Sequence, residues 1–235
     1  MFYIDYILGK RVVKSNLLKD LNHFFTTRDI CIFSKEEDMS FNKNIIERYV
    51  NCKMATSQPV HGVNIEKVLE NKYFYYNTDG LLIDKKNTSA YMNFGDCTPL
   101  IFYCKGVAMI SHAGWQGTVG EMAKISVKKL VNEYGFNADD IKVAIGPTIC
   151  KDCYEVGEDV FNNLFNTVNI HNNLFFKEND KLFVDLKNIN KQQLLESGVE
   201  QIDVCPYCTA CGENLFNSFR HENHTGYRHS AVVRL

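Results

Sequence analysis

No apolar stretch in this 235-residue chain is long enough to span a bilayer, so a membrane-embedded protein is not expected. Positive charge is not in surplus either. The 26 lysines and arginines face 28 aspartates and glutamates, a formal net charge of −2. A nucleic-acid binder would carry a basic stripe, and this composition argues against one. Seven histidines occur, at positions 23, 61, 112, 171, 221, 224 and 229, and none of them forms a His-x-His pair. A four-copper centre needs a large imidazole set, usually in such pairs. There is no internal repeat and no low-complexity linker. No export signal is evident: MFYIDYILGK carries Asp5 in its middle, lacks a cleavage site and reads as a first strand. Nine cysteines, an odd number, are therefore expected as reduced thiols in a cytoplasm rather than as a disulfide framework.

What is present suits a packed core. Hydrophobic residues make up 45% of the chain and aromatics 12%, enough for a single domain over residues 1–235. Runs rich in Val, Ile, Phe and Tyr predict strands at FYIDYIL, CIF, GLLI, SAYMNF, PLIFYC, VAMIS, KVAIG, LFVDL, QIDVC and AVVRL. Val119, Met122, Ala123, Ser126, Val127, Leu130, Val131 and Tyr134 share one helical face, and Gly135 follows as a left-handed stop. Further helices are predicted over 158–166, 186–197 and about 42–49, and the polar stretch 163–179 reads as a mobile loop. Strands mixed with helices in this irregular order indicate an α/β layered fold with a mixed sheet.

Three soft side chains stand at the ends of apolar runs, each close to a glycine or proline: His61 in PVHG, Cys97 in GDCTPL and His112 in SHAGWQG. Two imidazoles and a thiolate make a zinc site, and a fourth position open to water would make it catalytic. PLIFYC and VAMIS, joined by Lys105 and Gly106, read as a hairpin, which puts Cys97 and His112 at one end of a sheet. Singly, each of the three is as well explained as a core thiol or a hydrogen-bonded core histidine. Asp96 would face away from Cys97 on an extended backbone. It reads as a loop-fixing carboxylate, a carboxylate behind a metal-bound imidazole, or a turn former after Gly95.

Gly114 and Gly117 would let the backbone approach a ligand, and a helix starting near Thr118 would aim its N-terminus at an anion such as phosphate. Trp115, the one tryptophan, is read as a wall against which a base stacks, and core shielding is its alternative. In FNSFR, strand alternation would place Phe216, Ser218 and Arg220 together, and Arg220 is suited to phosphate or a base contact. Tyr154 and Glu155 could meet a ribose or form an exposed turn. Cys150, Cys153, Cys205, Cys208 and Cys211 include two C-x-x-C pairs, 150/153 and 205/208. Their separation exceeds the usual zinc-ribbon interval, and a second metal stays an open reading.

GDCTPL, SHAGWQGT, IGPTICKDCYEV and the tail CT…FNSFRHENHTGYR, in this order, resemble the laccase-domain family, also known as YfiH-like, as multicopper polyphenol oxidase and as zinc-dependent purine nucleoside phosphorylase. The resemblance runs from about Gln58 to Leu235. It implies an α/β/β/α sandwich, places His61 beside Cys97 and His112, puts the IGPTIC loop at the pocket rim and includes Cys208 in the family pattern. Two positions depart from that pattern. Pro59 stands where glutamine is usual, and TGYR replaces TGR, so either Tyr227 or Arg228 faces the site.

The resemblance further implies phosphorolysis of adenosine, inosine, guanosine and methylthioadenosine, with hydrolytic deamination of adenosine. The implied cofactor is zinc, with copper as its competitor, and the implied partners are purine nucleosides and phosphate. Two other readings use the same residues: a copper-dependent polyphenol oxidase, and a metal-free hydrolase of cell-wall precursors with Cys97 and His112 as nucleophile and base. Nothing in the sequence specifies an oligomeric state.

Overall fold

In the computed structural model, which describes residues 1–30, 32–33, 39–212 and 214–235, Phe24 and Phe25 are both fully buried. Neighbouring residues of a strand face opposite ways, so their sheet must be covered on both sides. The same holds for Val12 and Val13, and for Val232 and Val233. Strands of this kind read as continuous apolar runs rather than as alternation.

Two large sheets result. The first has eight strands. Its main path runs Phe2–Ile7, Lys10–Ser15, Asn22–Thr26, Tyr227–Arg234, Ser89–Phe94, Met54–Ser57 and Phe74–Tyr75, and Ile32–Phe33 pairs with the start of the Tyr227–Arg234 strand. The second has six strands, in the order Gln201–Val204, Lys142–Ile145, Thr98–Cys104, Val107–Ala113, Gly80–Ile83 and Ile65–Lys67. Both are mixed: Lys142–Ile145 runs parallel to Gln201–Val204 and antiparallel to Thr98–Cys104.

The sheets face each other through Phe25, Met92, Phe94, Ile101, Ile110 and Val233. Helices Met122–Tyr134 and Leu186–Glu196 cover the outer face of the six-stranded sheet, setting Met122, Leu130 and Leu194 against Phe102, Met109 and Val143. Helix Met39–Val50 covers the outer face of the other, with Ile46 and Val50 against Val12, Tyr91 and Val232. The layers are thus α/β/β/α, as the resemblance implies. None of the helices among the described residues is long and apolar enough to cross a membrane.

Two expectations are corrected, and a third falls partly outside the described residues. The helix expected from Val119 begins at Met122, because Glu121 takes a left-handed φ of 60° and separates it from a five-residue helix, Trp115–Val119. Gly120, just before Glu121, leaves room for a close neighbour, since a Cβ there would lie 2.8 Å from Val63 Cγ1. The stretch 163–179 is not a bare loop. It contains the strand Phe175–Glu178, which joins Lys181–Val184 and Glu155–Val156 in a small sheet, and it buries Val168 and Leu174 beside the helix Glu158–Phe165. Within the expected CIF strand, Cys31 lies outside the described residues, while Ile32–Phe33 is a strand. The helices over 186–197 and 42–49 are present as Leu186–Glu196 and Met39–Val50.

Gly146, at the end of the Lys142–Ile145 strand, lets the sheets approach. A Cβ on it would lie 2.3 Å from the Phe25 ring, and that ring is buried. Gly146→Ala is expected to overpack this contact and cost about 1–3 kcal/mol, read as a lower midpoint in urea or heat. An unchanged midpoint would show that Phe25 has room to move.

Candidate metal centre

The hairpin between Thr98–Cys104 and Val107–Ala113 turns at Lys105 and Gly106, which have φ of 43° and 85°. Two consecutive left-handed residues match the twist of the flanking strands. In its register Thr98 lies opposite Ala113 and Pro99 opposite His112. Cys97, one residue before the strand, therefore meets His112 at the same end of the sheet, as the sequence predicts.

His61 comes from the other sheet, on the loop after Met54–Ser57. Its φ is 62°, a left-handed conformation that histidine adopts more readily than most residues. Asp79 ties this loop to the hairpin. Its carboxylate accepts from the Val60 N–H at 3.0 Å, and its carbonyl accepts from the His112 N–H at 2.8 Å. The His61 and His112 rings meet edge to face with centroids 5.1 Å apart. One ligand atom each from His61, Cys97 and His112 lies within 4.8 Å of the others.

The surroundings fit a metal held by these three. His112 Nδ1 is buried with no hydrogen-bond partner, a costly state for a polar atom unless something binds the ring. Gly114 leaves the ligands room: a Cβ there would stand 3.0 Å from Cys97 Sγ and 3.2 Å from His61 Cδ2. Desolvation takes the His112 imidazole down to about 3, helped by His61 and His229, so the ring is neutral and free to ligate. Desolvation pushes the Cys97 thiol up to about 12, with Asp96 adding to the rise and Arg228 opposing it. Without a cation bound beside it, that thiol keeps its proton at neutral pH.

These residues line a cleft of about 890 Å³. Trp115, half-buried, Tyr154, Phe219, Arg220 and Arg228 are also in its wall. Arg228 rather than Tyr227 therefore faces the cleft. It is half-buried, donates to the carbonyls of Thr225 and Tyr227, and lies over the Phe219 ring at 5.1 Å. Burial holds its pKa below the ordinary arginine value. Sequence reasoning left this arginine undecided and missed Asp79, whose only signal was the Thr-Asp-Gly turn before the GLLI strand.

Several readings change. Asp96 is not extended: its φ is 72°. Its carboxylate is buried and accepts from Thr209 Oγ1 at 2.6 Å, Ser218 Oγ at 3.0 Å and the Arg220 N–H at 2.7 Å. It fixes loops and does not brace an imidazole. Gly117 and Thr118 do not start a helix, which begins at Trp115 with Gly114 as its N-cap. They lie inside the short helix, where a Cβ on Gly117 would meet the carbonyls of Gly62 and His112 at 3.2 Å. The Thr118 hydroxyl accepts from Asn190 and its carbonyl from Gln193. Phe216, Ser218 and Arg220 are not alternate residues of a strand. The first two are buried in an irregular segment and Arg220 is exposed, donating to the Glu155 carbonyl at 2.8 Å with its guanidinium 5.2 Å from the Tyr154 ring. Of the remaining thiols, Cys150, Cys153, Cys208 and Cys211 converge on a separate point, and Cys205, buried elsewhere, is not among them.

A family model described as multi-copper polyphenol oxidoreductase laccase matches residues 13–235. Purine nucleoside phosphorylase YlmD of Bacillus subtilis is 36% identical over 210 residues, 81% of this chain and 75% of that protein. The protein of the same name from Geobacillus stearothermophilus is 33% identical over 80% of this chain and 72% of its own length. An adenosine deaminase from an unknown prokaryotic organism is 34% identical over 55% of this chain and 51% of its own. The crystal structure of YlmD from Geobacillus stearothermophilus superposes with a TM-score of 0.88 at 26% identity, covering 95% of each chain.

Gly114→Ala tests the crowding argument directly. The added methyl should push Cys97 and His61 apart and weaken metal binding at this site by about tenfold or more, as changes just outside a metal's ligands do, with little change in the far-ultraviolet circular dichroism. Metal affinity equal to that of the unaltered protein, measured by chelator competition, would contradict it.

Proposed function

This chain belongs to the family described as multi-copper polyphenol oxidoreductase laccase, and from that premise we propose that it is a zinc-dependent purine nucleoside phosphorylase that also deaminates adenosine. The observation that carries the proposal is the meeting of His61, Cys97 and His112 in the wall of a cleft that also presents Arg220 and Arg228. Zinc bound by that set supplies Lewis acidity and a water acidified toward a pKa of about 7, the chemistry that hydrolysis at the purine C6 requires.

The other residues bind and orient. Trp115, Tyr154 and Phe219 offer flat apolar surface to a purine. Arg228 is half-buried, and it donates to the carbonyls of Thr225 and Tyr227 rather than to a carboxylate, so an anion entering the cleft finds a partly desolvated cation. A guanidinium suits phosphate through its fork of donors. Arg220, fixed by the Glu155 carbonyl on the same wall, supplies a second positive charge.

The copper reading is weaker because, among the described residues, two imidazoles group with Cys97, and His224, though it lines the same cleft, is outside that group. His23 is bound to Ser15 and Leu21 inside the first sheet, His171 stacks on Phe165, and His229 is buried beside Phe94. The metal-free hydrolase reading needs a thiol with a depressed pKa, and desolvation moves Cys97 the other way.

Inosine is expected to give hypoxanthine only when phosphate is present, and release at the same rate in phosphate-free buffer would make the protein a hydrolase. Arg228→Ala should raise the phosphate KM about tenfold or more, for a lost charged hydrogen bond of about 1.5–3 kcal/mol, and leave adenosine deamination nearly unchanged. Equal losses in both reactions would assign Arg228 to the base or the fold.

Zinc catalysis and cysteine nucleophilicity separate under chelation. A strong chelator should abolish activity and added zinc should restore it, because Cys97, protonated once the metal is gone, is then a poor nucleophile. Activity that survives exhaustive chelation yet dies when Cys97 alone is modified would replace the zinc reading with the hydrolase.

A further inference from the structure

The loop after the Lys142–Ile145 strand and the loop after Gln201–Val204 run side by side. Thr148 bridges to Cys208 in parallel register, and the Thr209 N–H donates to the Thr148 carbonyl at 3.3 Å. Each loop carries a C-x-x-C turn: Cys150-Lys-Asp-Cys153 on one, Cys208-Thr-Ala-Cys211 on the other. The four sulfurs lie within 4.8 Å of one another, although the pairs are more than fifty residues apart in sequence. None of the four lines the cleft, and a metal bound here does not require the activity proposed above.

Three features mark a built metal site rather than a chance gathering of thiols. Backbone N–H groups of Cys150, Ala210 and Cys211 all point at Cys208 Sγ, at 3.2, 3.3 and 3.5 Å. Three donors on one sulfur stabilise a thiolate and fix its direction, as the groups behind a metal's ligands do. Gly212, next to the second pair, allows the tight loop these donors require, since a Cβ there would stand 2.3 Å from the Cys208 carbonyl oxygen. The spacing also agrees. Zinc–sulfur bonds of about 2.3 Å put the corners of a tetrahedron about 3.8 Å apart, and Cys150 Sγ and Cys211 Sγ are 3.7 Å apart.

We propose that Cys150, Cys153, Cys208 and Cys211 bind a second zinc ion, closed by four thiolates and structural rather than catalytic. Four protein ligands leave no position for water or substrate, which is the mark of a structural zinc. An iron–sulfur cluster would divide the cysteines among two or more irons and spread the sulfurs further. The ion staples together two loops that serve the cleft. Tyr154 follows Cys153 directly, and Thr209, next to Cys208, donates to the same Asp96 carboxylate that accepts from the Arg220 N–H. The staple therefore sets where the Tyr154–Arg220 wall stands.

Metal analysis of protein purified without a tag should find two zinc ions per chain. Cys97→Ser should retain one, and cobalt(II) placed in that variant should show the intense thiolate charge-transfer bands of a four-sulfur tetrahedral site. The double variant Cys150→Ser/Cys211→Ser should lose one ion and keep the other. Because the double variant could fail to fold, the Cys97→Ser protein carries the decision. If it holds no metal, or if the four cysteines are found as disulfides or with iron and sulfide, the second zinc is wrong and the proposed activity is untouched. If the unaltered protein holds a single zinc that persists in Cys97→Ser, the second site stands and the metal of the proposed activity falls.

Discussion

One buried carboxylate holds the cleft together. Asp96 stands immediately before Cys97, and its two oxygens accept from Thr209, Ser218 and the backbone of Arg220, all from the C-terminal region. Its own carbonyl accepts from the Ile149 N–H at 3.2 Å. Hydrogen bonds to a charged group contribute about 1.5–3 kcal/mol each, and losing the acceptor would leave buried donors unpaired. The loops that carry Ile149, Phe219 and Arg220 into the cleft wall are thus fixed to the same residue that precedes the thiol. Its left-handed φ of 72° follows from this duty: the extended form would turn the carboxylate away from those donors.

Asp79 does for His61 what Asp96 does for the arginine wall. The two sheets contribute different ligands, and a metal site between them depends on how the layers are registered. By accepting from Val60 with its side chain and from His112 with its backbone, Asp79 sets that register at the one point where it matters for chemistry. Glycines then provide clearance. Gly146 lets Phe25 of one sheet press on the end of the other, Gly117 lets the short helix close on the His61 and His112 loops, and Gly114 keeps space free between Cys97 and His61. An alanine at any of these would put a methyl where a side chain or carbonyl already stands.

Local signals in the chain were legible where the physics is local. Apolar runs marked the strands, because a sheet buried on both faces needs them. Gly135 and Gly198 ended their helices with φ of 67° and 84°. Lys105 and Gly106 announced the hairpin, and the hairpin alone brought Cys97 to His112. Signals failed where two elements compete. The periodicity through Val119 continued past Gly120, but the left-handed Glu121 divides the stretch into two helices, and the first of them starts at Trp115 rather than near Thr118. The alternation in FNSFR suggested a strand, yet Ser218 and Arg220 were taken by Asp96 instead.

The sequence by itself determined the layered α/β class, the hairpin, the absence of a copper-sized histidine set and the identity of the three metal-competent side chains. Each of these depends on residue type and on contacts near in the chain. Only the tertiary structure decided that His61 reaches the other two from the opposite sheet, that Arg228 and not Tyr227 faces the cleft, and that Cys211 rather than Cys205 completes the group of four thiols. Those outcomes rest on pairings between segments far apart in the chain. Their geometry is set by buried carboxylates, close glycine contacts and strand register, none of which leaves a local pattern in the sequence.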